Sequence, residues 1–255
     1  MTDVQELPEQ PGVPRRFTTT RWSIVLAAGG RPSVVADNEA SEALAVLCQT
    51  YWYPLYTYVR RRGHDPEEAR DLTQSFFLRL LDKNVIAAAD PQRGRFRSFL
   101  LTVLKNFLAN EWKSASAEKR GGGHRQLAIS ADFDSAERQY GREPADTLTP
   151  ERLYERRWAL TLLDAVLLEL QNQYVEAGRG NLFEGLKPYL TGDASAPSHA
   201  ETAAKLNLSE GATQVSIHRL RRKYRELLRV HIEQTVESPD QVEQEIRDLF
   251  RAVRG

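Results

Sequence analysis

The stretch AETAAKLNLSEGATQVSIHRLRRKYRELLR, residues 200–229, decides how this chain is read. Ala203 stands four residues before Asn207, and the chain can turn through Asn207-Leu208-Ser209. A small residue, a tight turn and a second helix make a helix-turn-helix pattern, in which two short helices cross closely. Ser209 is placed to cap the second helix. On that helix Thr213, Ile217, Leu220, Tyr224 and Leu228 share one face, the expected core side. Val215, His218, Arg219 and Arg222 share the opposite face, with Arg221 and Arg225 on one flank and Lys223 on the other. A helix that reads duplex DNA needs short or forked side chains near its start for base edges, and cations for phosphates. Arg219 can fork onto a guanine, and Val215 can touch a thymine methyl.

Helical periods continue on the N-terminal side, and nowhere do Val and Ile alternate with polar residues over a strand-length run. The spacing predicts a helix over 39–62 with Leu44, Leu47, Cys48, Tyr51, Leu55, Tyr58 and Val59 on one side and Pro54 inside it. Asp65-Pro66-Glu67-Glu68 reads as a cap, a first-turn proline and two acids, which start a helix running to about Asp82. A long helix follows Arg93 to Arg97 and stops at Gly121-Gly122-Gly123. Thr149-Pro150-Glu151 starts another, to about Glu176, and a short segment covers 182–190. Helices resume near His199, Glu210 and Pro239. The last carries Val242, Ile246, Leu249, Phe250 and Val253 on one face, expected to pack on its own domain.

Two further blocks carry residues of interest. In the first, Phe96, Phe99, Leu100, Val103, Leu104, Phe107, Leu108 and Trp112 form a stripe expected to be buried. Its other face offers Arg97, Lys105, Asn106, Asn110 and Lys113, followed by Lys119, Arg120 and Arg125. Cations and amides beside aromatics suit a nucleic-acid strand with unstacked bases. In the second, Leu72, Phe76, Phe77, Leu80 and Leu81 make the apolar side, while Asp71, Gln74, Ser75 and Leu78 line another face. A leucine among polar groups there suggests a helix-in-groove contact with a protein.

The 255 residues hold 35 basic and 35 acidic side chains, so the formal net charge is zero. That sum hides its distribution. Residues 51–125 carry a net +6, 126–155 a net −4, 199–231 a net +4 and 232–255 a net −3. Two basic blocks are thus separated by an acidic stretch and followed by an acidic tail, and binding depends on such placement. One cysteine, Cys48, excludes an intramolecular disulfide and a multi-cysteine zinc site, and its apolar neighbours make it a small packed hydrophobe. No run reaches the length needed to cross a membrane, and no signal-peptide core opens the chain, so no membrane partner and a cytoplasmic location are expected. A Walker-type loop, a His-Glu-x-x-His pair and a clustered set of histidines are all missing. The expectation is a non-enzyme with no cofactor, no metal and no small-molecule substrate.

In their order, the three blocks resemble the extracytoplasmic-function (ECF) subfamily of RNA polymerase sigma factors. The residues that carry the resemblance are Ala69-Arg70-Asp71-Leu72-Thr73-Gln74-Ser75-Phe76-Phe77, then Phe96-Arg97-Ser98-Phe99-Leu100 through Asn106 to Arg120, then Ala200 to Leu228. The chain looks closest to a branch with an extended N-terminus (Phe17 to Ser23) and a C-terminal tail.

The resemblance implies an all-α fold of two helical domains joined by a flexible acidic linker. Its parts would be an extension (1–39), a region 2-like domain (40–125), the linker (126–150), a region 4-like helix-turn-helix domain (151–235) and a tail (236–255). Asp71, Gln74, Ser75 and Leu78 would grip RNA polymerase core. Arg97, Lys105, Asn106, Asn110, Lys113 and Arg120 would face the minus-ten element of promoter DNA. Val215, His218, Arg219, Arg222 and Lys223 would face the minus-thirty-five element. The linker would follow the RNA exit path, and an anti-sigma factor is a possible partner. The sequence departs from the family at Thr213, where valine is usual and whose hydroxyl needs a partner, and at Val215, usually polar. A helix-turn-helix regulator acting without polymerase, or an adaptor that has lost DNA binding, are the alternatives.

Overall fold

The computed structural model describes residues 37–82, 85–90, 94–117, 133–143, 148–191, 196–233, 235–236 and 238–254. Among them every regular element is helical, as the periods predict. Helix α1 spans Asp37–Arg61 and continues through Pro54, whose carbonyl accepts the Thr57 hydroxyl at 2.8 Å. It stops at Gly63, which adopts φ +98°, a conformation glycine takes without strain. Helix α2, Pro66–Asp82, starts as predicted: the Asp65 carboxylate accepts the Glu68 amide at 2.8 Å. Helix α3 spans Phe96–Ala117. The extension up to residue 36, Arg120 and the glycine stop at 121–123 lie outside the described residues.

The first departure from expectation is the stretch assigned as a flexible linker. It contains a helix, α4, Phe133–Tyr140, docked on α1. Phe133 packs edge-on to Tyr56 with centroids 6.0 Å apart, and Ala136 is buried. Glu137 accepts from Tyr56 and pairs with Arg60 at 2.7 Å. Arg60 also lies over the Tyr140 ring at 4.7 Å. Just beyond, Glu143 is buried, accepts the Tyr53 hydroxyl at 3.3 Å and pairs with Arg157. A polar, acidic segment therefore docks, because each docked carboxylate meets an arginine or a tyrosine.

Helix α5, Pro150–Glu176, is 27 residues long, or roughly 40 Å. Thr149 caps it, accepting the Arg152 amide at 3.3 Å, with Pro150 in the first turn. The second departure concerns what α5 packs on. Its first half (Tyr154, Trp158, Ala159, Leu162, Val166) shares one continuous core with Tyr51, Leu55, Tyr58 and Val59 of α1 and with Phe96 and Leu100 of α3. Its second half, through Leu170, supports a smaller core with Phe183, Leu186, Ile217 and Leu220. The two expected helical domains are thus not set apart in the described structure; α5 belongs to both.

Phe183 and Leu186 come from α6, Gly180–Leu186, and Pro188–Thr191 forms the single turn α7. Helix α8, His199–Leu206, opens with a capping box between Ser198 and Glu201 and closes on Asn207, held left-handed at φ 53°. Helix α9 spans Glu210–Glu233 and α10 spans Val242–Arg254.

A shared core makes a thermodynamic demand. Trp158 is buried in that shared core, so Trp158→Ala should lower stability by about 3–5 kcal/mol. Urea unfolding followed by circular dichroism should show one transition shifted as a whole. Two transitions, with only one displaced, would mean independent domains.

Candidate nucleic-acid interface

The outward face of α9 forms as the sequence predicts. Thr213, Ile217, Leu220 and Leu228 are buried, and the Tyr224 hydroxyl donates to the Leu163 carbonyl at 3.3 Å. The Thr213 hydroxyl finds its partner in the Ser209 carbonyl at 3.1 Å, which is how threonine is accommodated at a buried position. Ser209 caps α9 by accepting the Ala212 amide at 3.2 Å. Gly185 explains how closely α8 is seated: a Cβ there would meet the Leu206 side chain at 2.8 Å. With that geometry fixed, Val215, His218, Arg219, Arg222 and Lys223 all project from the protein and are exposed. Arg222 pairs with Glu226 one turn on at 3.2 Å, and Lys223 leans over the Tyr174 ring at 5.6 Å. Arg221 donates to the Tyr189 carbonyl at 3.2 and 3.1 Å, which fixes α9 against α7.

On α2, Phe76, Phe77 and Leu80 are buried. Asp71 is exposed and Gln74, Ser75 and Leu78 are half-buried, so the four form one accessible face. Arg70 pairs with Asp71 at 3.4 Å and lies over the Phe133 ring at 5.0 Å.

On α3 the structure divides the predicted residues. Asn106, Asn110 and Lys113 are exposed. Lys105 is also exposed, but Glu151 pairs with it at 2.8 Å and keeps it charged by that hydrogen bond. Arg97 must be corrected. It is only 5% exposed and lies 4.0 Å over the Trp158 ring. Its Nε donates to Glu155 at 2.7 Å and its Nη1 to Glu245 of α10. Burial opposes its charge, yet the two carboxylates outweigh that and hold its pKa above the ordinary value. In this conformation Arg97 is a core cation, not a surface one.

A second correction concerns Trp112, expected in the buried stripe. It is 76% exposed. It borders a cleft of about 680 Å³ between α1, α2, α3 and the start of α5, lined by Arg62, Lys105 and Lys113 and also by Glu68, Glu111 and Glu151. Trp112 follows the same periodicity as its buried neighbours, but its turn of α3 is left open among the described residues. Cys48 packs against the core, and burial pushes its thiol up to about 12, so it is not a reactive group.

Residues 48–118 match the family model of Sigma-70 region 2. That stretch contains the second half of α1, all of α2 and all of α3, and so the α2 face and all of the Trp112 cleft's lining but Glu151. The match covers 71 of the 255 residues and is to that region alone. No curated protein and no solved structure gives a significant match to the chain. Among the described residues, no helix is long and apolar enough to cross a membrane, and no group of three or more His, Cys, Asp or Glu could hold a metal ion.

The carboxylates that secure the region 2 stretch make stability sensitive to acid. Glu137 is held below its ordinary value, first by the Arg60 hydrogen bond, and Glu151 likewise by Lys105. A carboxylate depressed in the folded state stabilises above its unfolded value, near 4.5, and loses that contribution as pH falls through the folded value. Melting temperature should therefore drop as pH is lowered below about 4.5. Glu137→Gln should be less stable at neutral pH and show a shallower acid slope; an unchanged slope would remove Glu137 from this role.

Proposed function

We propose that the chain is a sigma factor of the ECF type, which binds RNA polymerase core and directs promoter recognition, DNA melting and transcription initiation. The observation that carries the reading is the region 2 match at 48–118 on the same chain as an outward-facing basic helix in a helix-turn-helix. On this reading Asp71, Gln74, Ser75 and Leu78 bind core. Lys105, Asn106, Asn110, Lys113 and, outside the described residues, Arg120 serve the minus-ten element. Trp112 is added to them as a stacking surface for an unpaired base, because an aromatic ring so exposed beside amides and cations suits a melted strand. Val215, His218, Arg219, Arg222 and Lys223 serve the minus-thirty-five element. Val215 lies on the second turn of α9 and Arg219 on the third, on the same exposed face.

The chemistry is binding, without catalysis by the chain itself. DNA opens because single-stranded bases and phosphates gain contacts on α3 that duplex DNA cannot make, while polymerase holds both ends of the site.

The decisive test mixes the purified chain with core polymerase on a pool of genomic fragments. Specific run-off transcripts are the expected result. Duplex binding that needs no core would instead favour a helix-turn-helix regulator, and neither activity would favour an adaptor. With a responsive promoter in hand, Arg219→Ala should weaken recognition at one upstream base pair by about 1–3 kcal/mol. A loss spread evenly over all sequences would make Arg219 a phosphate contact.

A further inference from the structure

The C-terminal helix α10 reaches across the chain to the first turn of α3. Glu245 is completely buried and pairs with Arg97 and, at 2.8 Å, with Arg95. Asp248, one turn on, pairs with Arg95 at 2.7 Å. Burial works against the Asp248 charge, but the Arg95 and Gln244 hydrogen bonds prevail and hold its carboxyl below the ordinary range. The leading cations of the region 2 helix are therefore neutralised by a segment more than 140 residues away in sequence.

Three features distinguish this contact from ordinary packing. A buried ion pair contributes little net stability relative to apolar residues of the same shape, and its best-attested use is to fix a register or a switch. The apolar seat of α10 is partial: Val242 and Leu249 are buried, but Phe250 is 42% exposed and Ile246 and Val253 are half-buried. Finally, a cleft of about 340 Å³ opens along Arg95, Glu155 and Asp248, so solvent reaches the edge of the charged cluster. Guanidinium groups accept phosphate in the same forked geometry as carboxylate, so a polyanion competes directly for Arg95 and Arg97.

We propose that α10 is a latch: its Glu245 and Asp248 carboxylates occupy Arg97 and Arg95 and keep the first turn of α3 closed to DNA until polymerase-bound DNA displaces them. The inference rests on the sigma reading above. The latch leaves the exposed Asp71 of α2 uncovered, so core binding precedes opening. Arg97 then becomes a DNA contact only in the opened chain.

The test uses the full chain with core polymerase and, as probe, a labelled single-stranded DNA oligonucleotide of random sequence, read by fluorescence anisotropy. Asp248→Arg should tighten probe binding by the core complex about tenfold. Asp240→Arg adds the same charge on the exposed turn before α10 and should leave binding within about twofold of the wild type. Amide hydrogen exchange of residues 96–104 should quicken in Asp248→Arg and stay at the wild-type rate in Asp240→Arg. Asp248→Asn, nearly isosteric and at a partly exposed position, gives the same readout if Asp248→Arg does not fold. Equal effects of Asp248→Arg and Asp240→Arg would reduce α10 to a packing helix while the sigma reading stands. Failure of the wild-type chain to bind core would overturn the sigma reading and the latch with it.

Discussion

A buried cation must be paired, and in this protein that requirement falls on Arg97. Its guanidinium sits over Trp158 of α5, donates to Glu155 of the same helix and reaches Glu245 of α10. The Tyr154 hydroxyl donates to the Arg97 backbone carbonyl at 2.9 Å, so α5 holds both ends of the residue. Removing any one partner leaves a charge in a low-dielectric surrounding, which is far more costly than the intact set is stabilising. The relative placement of α3, α5 and α10 is therefore tightly specified at one point. The ion cluster thereby defines the closed arrangement of the three helices.

Because α5 is fixed there, its other end is fixed too. A rigid helix of that length transmits the orientation set at Trp158 to Leu170, where the smaller core begins. That core seats α8 and α9 through Ile217 and Leu220, and the exposed face of α9 follows from which residues it buries. The position of Arg219 is thus tied, through one continuous helix, to the cluster at Arg97.

What was legible in the sequence was local. Caps at Asp65, Thr149 and Ser209, the turn at Asn207 and the two faces of α9 follow from spacing of a few residues, and the structure reproduces them. What was not legible was long-range. Nothing near Arg97 in sequence announces Glu155 or Glu245, so a cation on a polar-looking helix face was assigned to the surface. Trp112 failed for the opposite reason: periodicity says which side of a helix a residue occupies, but not whether that turn still has a neighbour. Helix α4 was hidden by its acidity. Phe133, Ala136 and Tyr140 are spaced for one helical face, a signal drowned by the carboxylates that dock on Arg60.

The neutral total charge acquires a structural meaning from these pairings. In the region 2 stretch and its approach, Arg60 is met by Glu137, Lys105 by Glu151, Arg97 by Glu155 and Glu245, and Arg95 by Asp248. The acids come from the expected linker, the start of α5 and the tail, the segments whose negative charge offsets the first basic block. On α9 the acids are fewer: Glu226 meets Arg222 and Glu243 meets Arg229, while His218 and Arg219 point outward. The two basic blocks are therefore not equivalent. In the first, Arg60, Arg95, Arg97 and Lys105 are met by carboxylates from elsewhere in the chain; in the second, His218 and Arg219 are displayed. A polyanion at the first turn of α3 meets carboxylates already holding Arg95 and Arg97, whereas on α9 it meets the exposed Arg219 directly.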